Sequence, residues 1–203
     1  MDLIYINLIP FAEQIVFSQK VRSVAAALML NPDWLMQVMK AESNLNPAAR
    51  NTYAPFYKDG VLDGYATGLI QFTPDTARGL KTTTTALEQM SRIEQMDYVY
   101  KYLLPYKGKL KSYFDLYLVV FFPAAIGKTN DDNYIFESKN ISRGAIAKSN
   151  PAININKDGM ITMAEFKQYL KNTVPKNLWA RVFEAAAENK GAIVASIFFL
   201  QRG

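Results

Sequence analysis

Proline placed directly after a capping residue recurs along this chain and constrains what it can fold into. Asn31-Pro32 and Thr73-Pro74 each put a side-chain acceptor at a helix N-cap and a proline in the first turn, where its missing N–H costs nothing. Ser91 supplies a further cap. Behind these starts, apolar residues recur at helical spacing. Leu35, Val38 and Met39 follow Pro32, and Ile93, Met96 and Tyr100 follow Ser91. Val21, Val24, Ala25 and Leu28 form an i, i+3, i+4, i+7 stripe of their own. The segment after Pro74 predicts a short helix to about Gly79, and Thr82 to Thr85 reads as a polar loop. Tyr113 to Phe122 reads as a strongly apolar central helix. Pro175 begins the approach to a helix around Leu178 to Glu188, and Gly191 precedes a last apolar segment, Ile193 to Leu200. No internal repeat and no alternating hairpin pattern is read. The chain is expected to be mainly α.

Composition then narrows the chemistry. The 203 residues, half of them hydrophobic, suit one domain or one domain with a small appendage. With no cysteine there is no disulfide framework, thiolate zinc site or thiol nucleophile. With no histidine there is no Ser-His-Asp triad. Acid–base work falls to Asp, Glu, Lys or Tyr. The net charge of +5 comes without a Lys/Arg run of the kind that marks a nucleic-acid patch. Lys107, Lys109 and Lys111, the densest basic cluster, read as an exposed loop between helices. The longest apolar stretch, Leu116 to Gly127, is too short for a membrane span and contains Pro123. The N-terminus, Met1-Asp2-Leu3-Ile4-Tyr5, lacks a basic n-region and a cleavage site, so no ordinary secretory signal is expected.

Glu42 is the first candidate functional residue. It occupies the next position on the Leu35, Val38, Met39 face, so its carboxyl is expected to be partly desolvated and its pKa raised. A Glu that keeps its proton near neutral pH can act as a general acid. The plainer reading is a solvated acid at a helix C-terminus. Gly68-Leu69-Ile70-Gln71-Phe72 follows after a long irregular stretch, Asn44 to Gly68, that holds Tyr53, Phe56, Tyr57, Asp59, Asp63 and Tyr65. Gly68 permits close approach of backbone to a ligand, and Gln71 offers a donor and an acceptor suited to a sugar amide or hydroxyl. The plainer reading is a buried turn packed by Leu69, Ile70 and Phe72.

Glu42-Ser43 with Asn46-Pro47-Ala48-Ala49, then Gly68-Leu69-Ile70-Gln71, then Pro74-Asp75-Thr76-Ala77 resemble the lytic transglycosylases of the soluble, goose-lysozyme-like group, in order, spacing and helical context. The match spans about residues 30 to 127. The resemblance implies a mainly helical, lysozyme-like fold with a groove for peptidoglycan strands. It implies Glu42 as the single acid/base, Ser43 as an orienting group, and Gly68, Leu69, Ile70, Gln71 and Phe72 along the groove. It further implies cleavage of the bond between N-acetylmuramic acid and N-acetylglucosamine with a 1,6-anhydromuramyl product, without a cofactor for catalysis. The two-carboxylate spacing rule then does not apply. Asp59 or Asp63 facing Glu42 across a water would allow hydrolysis instead. The family usually carries a Tyr-Asn pair in a later helix. Here the comparable string is Val120-Phe121-Phe122-Pro123-Ala124-Ala125-Ile126-Gly127, similar to a phage-associated subgroup with an aromatic-Pro-Ala-Ala string, with Phe122 in place of the tyrosine and Tyr117 as a substitute one turn earlier. That subgroup implies delivery by a virion or release at lysis, with other virion proteins as partners. The alternatives are a hydrolytic muramidase and a non-catalytic glycan-binding or virion structural module.

A second constellation lies in Asn154 to Glu165. Asn154, Asn156, Asp158, the Met160 carbonyl, Thr162 and Glu165 fall on the ligand positions of an EF-hand loop, with Gly159 at the sharp turn. Asn154 replaces the usual Asp, and Pro151 interrupts the approach, so a helix entering the loop directly is not expected. The pattern predicts weak, structural Ca2+ binding, or else a metal-free loop kept for its turn. The expected organisation is a lysozyme-like domain over 1–140 and a helical extension with this loop over 141–203, packed as one unit.

Overall fold

The computed structural model describes residues 1–184. The final apolar segment, Ile193 to Leu200, and the part of the Leu178 to Glu188 expectation beyond residue 184 lie outside the described residues. By internal packing the chain divides into two compact units, Met1–Leu110 and Lys111–Gly203.

The first unit is built on α1 (Phe11–Leu28), α2 (Pro32–Ser43) and α5 (Arg92–Leu103), with α1 packed against both of the others. Its apolar stripes are where the sequence puts them. Val21, Val24, Ala25 and Leu28 are buried on α1, and Leu35, Val38 and Met39 on α2. On α5 the buried side is Gln95, Met96, Val99 and Leu103, so the predicted Ile93–Tyr100 edge is only half-buried. The cap signals act as expected. Asn31 accepts from the Asp33 N–H, Thr73 caps α3 (Pro74–Gly79), and Ser91 and Glu94 form a reciprocal capping box. Salt bridges tie α1 to α5: Lys20 to Asp97 at 2.6 Å, and Arg92 to Glu13.

Two expectations are corrected in this unit. Only Thr82 and Thr83 of the expected Thr82 to Thr85 loop lie outside a helix. Thr83 caps Ala86 and starts α4 (Thr84–Glu88), whose Leu87 is fully buried. A hairpin also interrupts the irregular stretch: β1 (Phe56–Lys58) pairs antiparallel with β2 (Val61–Gly64). Its two-residue turn is Asp59-Gly60, both at positive φ (52° and 78°), the type I′ geometry that Asp-Gly favours. The alternating pattern was absent because neither strand buries a face. Tyr57, Val61 and Leu62 are all exposed.

The second unit contains α6 (Tyr113–Phe121), α7 (Arg143–Ser149) and α8 (Met163–Thr173). Its core is aromatic. Phe166 stacks on Phe121 at 5.4 Å, and Phe136 packs against Phe121, Phe122 and Phe166. The approach after Pro175 forms a 3-10 turn, Lys176–Leu178, and then a π-helical turn, Ala180–Glu184, in place of a plain α-helix. No helix among the described residues is long and apolar enough to cross a membrane.

Candidate active site

Glu42 lies in the last turn of α2 and is half-buried. The helix stops one residue later because Asn44 and Leu45 both adopt positive φ (54° and 63°). Their N–H groups return to Lys40 O and Met39 O, each at 3.1 Å, which is a Schellman closure. Leu45 is buried, and its carbonyl accepts from Arg92 Nε of α5. The chain therefore turns sharply just past Glu42 and is held there from a second helix.

Ser43 joins this helix end to the glycine-led segment. Its hydroxyl lies 2.9 Å from Met39 O and 3.0 Å from Leu69 O, and donates between them. The segment itself is a closed turn. Thr67 and Phe72 exchange both backbone hydrogen bonds, and Gln71 N donates to Gly68 O. A short ladder fastens it to the chain that follows Glu42: Gly68 N donates to Ala49 O at 2.8 Å, and Asn51 N to Ala66 O at 3.0 Å. Thus the two motifs of the sequence form one hydrogen-bonded frame.

The centre of that frame is Gln95, a residue to which the sequence reading gave no role. It is fully buried. Its Oε1 accepts from Leu69 N at 2.9 Å, and its Nε2 donates to Pro47 O at 2.6 Å and Leu87 O at 2.7 Å. One side chain thereby satisfies backbone groups from three segments. Gly68 is explained by this neighbour. A Cβ at residue 68 would stand 2.5 Å from Gln95 Oε1, and φ is +84°. The side chains of Leu69, Ile70 and Phe72 are buried, so the turn presents backbone rather than these side chains. Gln71, half-buried at φ 55°, directs its amide nitrogen to Gly68 O and Ala49 O. Thr67 lines a cavity of about 270 Å³ together with Arg50, Asp63, Tyr65 and Glu88. Within it Arg50 lies 4.8 Å from the Tyr65 ring centroid.

A tyrosine that the sequence reading did not single out lies close enough to Glu42 to feel its charge. Tyr102, on α5, packs edge-on against Phe72. Burial pushes its phenol up to about 12, and the neighbouring Tyr106 and the negative charge of Glu42 add to the rise. Nothing in the local pattern around Tyr102 advertises this; only the packing of α5 brings it there. The loop carboxylates are placed differently. Asp59 is exposed at the hairpin turn. Asp63 forms a two-pronged pair with Arg78 at 2.7 and 2.9 Å, and that hydrogen bonding holds its carboxyl below the usual range.

The remaining predicted residues belong to the second unit. Tyr117 is buried beside Tyr113 and Phe166, and Phe122 beside Phe136. Asn154, Asn156, Asp158, Met160 and Thr162 lie between α7 and α8, and Glu165 stands in the first turn of α8. Asn156 and Glu165 are bridged by a hydrogen bond from Asn156 N to Glu165 Oε1 at 3.2 Å.

Residues 20–98 match the family model of the transglycosylase SLT domain. The matched stretch contains Glu42, Ser43, the 67–72 turn and Gln95, and the mainly helical architecture agrees with the lysozyme-like fold of that domain. The match points to peptidoglycan as substrate and to lytic transglycosylase activity in general. No curated protein and no solved structure matches the chain.

Proposed function

We propose that the protein cleaves the glycan strands of peptidoglycan between N-acetylmuramic acid and N-acetylglucosamine, with Glu42 as the single acid/base. The observation that carries this reading is the frame around Glu42. The helix end that bears it is hydrogen-bonded through Ser43 to the 67–72 turn, inside the stretch that matches the transglycosylase domain. A frame of this kind holds a reacting group in place without relying on substrate to order it.

In the proposed reaction Glu42 gives its proton to the glycosidic oxygen as the bond to C1 breaks. The substrate's own N-acetyl group assists. The C6 hydroxyl oxygen of the muramyl sugar then bonds to C1 and returns its proton to Glu42, so a 1,6-anhydro end forms and no water is consumed. Two features favour the protonated starting form: the carboxyl is half-buried, and it sits at the negative end of a helix dipole. The cavity lined by Arg50, Tyr65 and Thr67 offers an aromatic ring and polar groups of the sort that hold saccharides.

Hydrolysis is the second reading, and Asp63 bears on it. A carboxylate paired two-pronged with Arg78 and held below its ordinary range is a poor base for activating water. The test is digestion of purified peptidoglycan followed by mass analysis of the products. The expected product is one water lighter than a hydrolytic one, and Glu42→Gln gives none. Products of hydrolytic mass would turn the assignment to a muramidase. Strand binding without turnover would turn it to a glycan-binding module.

A further inference from the structure

We infer that Asn154 to Glu165 is a calcium site that braces the second unit. α7 ends at Ser149, two residues before Pro151, and α8 begins at Met163, so the segment is the loop of a helix–loop–helix. Lys157 and Gly159, at φ 60° and 84°, turn the backbone back on itself. Asn156 Oδ1 accepts from Asp158 N, and Asp158 Oδ1 from Met160 N, each at 2.9 Å. Glu165 reaches across nine residues to Asn156 N while its other oxygen accepts from Thr162 N and its hydroxyl.

Those bonds order the loop but do not by themselves call for an ion. Asn154 does. Its Oδ1, at the first position of the loop, is buried and accepts no hydrogen bond. A buried acceptor without a donor is destabilising, and a cation at the loop's first position would relieve that. The donor set consists of oxygens only, which selects a hard cation. Amide, hydroxyl and main-chain oxygens around two carboxylates suit the adaptable shell of Ca2+ better than the strict octahedron of Mg2+. Among the described residues no three acidic, His or Cys side chains gather at one place, so affinity is low, with a Kd on the order of 10⁻⁴ M.

The loop is also anchored on its far side. Phe136 N donates to Ile161 O, and Met163 N to Tyr134 O, each at 2.9 Å, so residues 134–136 cover the loop's edge. Phe136 and Phe166 then carry the constraint into the aromatic core around Phe121. In this way the loop would serve as a structural brace.

The test is calcium titration of the full chain, followed by calorimetry and thermal unfolding, with Mg2+ as the control. Saturable heat is expected, with a rise in Tm of roughly 4 °C at about ten times the Kd. Glu165→Gln abolishes both, and Asn154→Asp, which restores the usual carboxylate, tightens binding several-fold. Glu42→Gln leaves the calcium response intact, so this inference stands or falls apart from the cleavage reading. It is overturned by no response of the wild type at millimolar calcium, by an equal response of Glu165→Gln or to Mg2+, or by unchanged affinity in Asn154→Asp.

Discussion

The two motif-bearing regions are built in opposite ways. The 154–165 loop makes much of its own frame. Asn156, Asp158, Met160, Thr162 and Glu165 bond to one another within a dozen residues. The Glu42 region borrows its frame from afar. Ser43 leans on Leu69, Ala49 on Gly68, and Gln95 on Pro47, Leu69 and Leu87. A self-contained loop can be judged from its own residues. A borrowed frame is vulnerable at positions that carry no chemistry.

The sharpest break of this contrast is Glu42→Gln. Peptidoglycan clearing is expected to fall by roughly 10²–10⁴-fold, the usual share of a general acid, with the Tm nearly unchanged. Clearing at the wild-type rate would remove Glu42 from the mechanism. Gln95→Leu comes next. It orphans Leu69 N, Pro47 O and Leu87 O together, and should cost on the order of 3 kcal/mol in urea unfolding, with activity falling alongside. A neutral result there would show that the frame is not borrowed after all. Gly68→Ala should cost about 2 kcal/mol, because a side chain meets both the positive φ and the Gln95 amide.

A pH-dependent effect of similar size, confined to alkaline pH, isolates Tyr102. Its phenol titrates near 10 when unfolded and near 12 when folded, so the fold favours the neutral form. The associated stability is whole below pH 10 and drains away as pH rises toward 12, by on the order of 2 kcal/mol. Tyr102→Phe should remove that part of the alkaline loss, as read from urea midpoints at stepped pH. An identical alkaline profile in the variant would place the phenol in water. Asp63→Asn should do least. The pair with Arg78 lies at the surface, so a barely altered Tm and unchanged product masses are expected. A switch in product mass would instead make Asp63 part of the reaction.

Legibility in the sequence followed the range of the interactions. Asn31-Pro32, Thr73-Pro74 and the Ser91–Glu94 box were readable because a cap is settled within four residues. Thr83 carried the same signal for α4, hidden among four successive threonines. Asp59-Gly60 signalled the hairpin turn, but strands with no buried face leave no alternation to see. Gln95 carries no local signal of its role. It is buried because carbonyls and an N–H from three other segments converge on it.

What the sequence determined alone was the starts of the capped helices α2, α3 and α5, the apolar stripe that leads to Glu42, and the loop pattern of 154–165. Each depends on side chains a turn or two apart. Tertiary structure alone decided that Gly68 makes room for Gln95, that Tyr102 feels the charge of Glu42, and that Asp63 is held by Arg78. Those outcomes require groups far apart in the chain to lose water together, and only closure of the core brings that about.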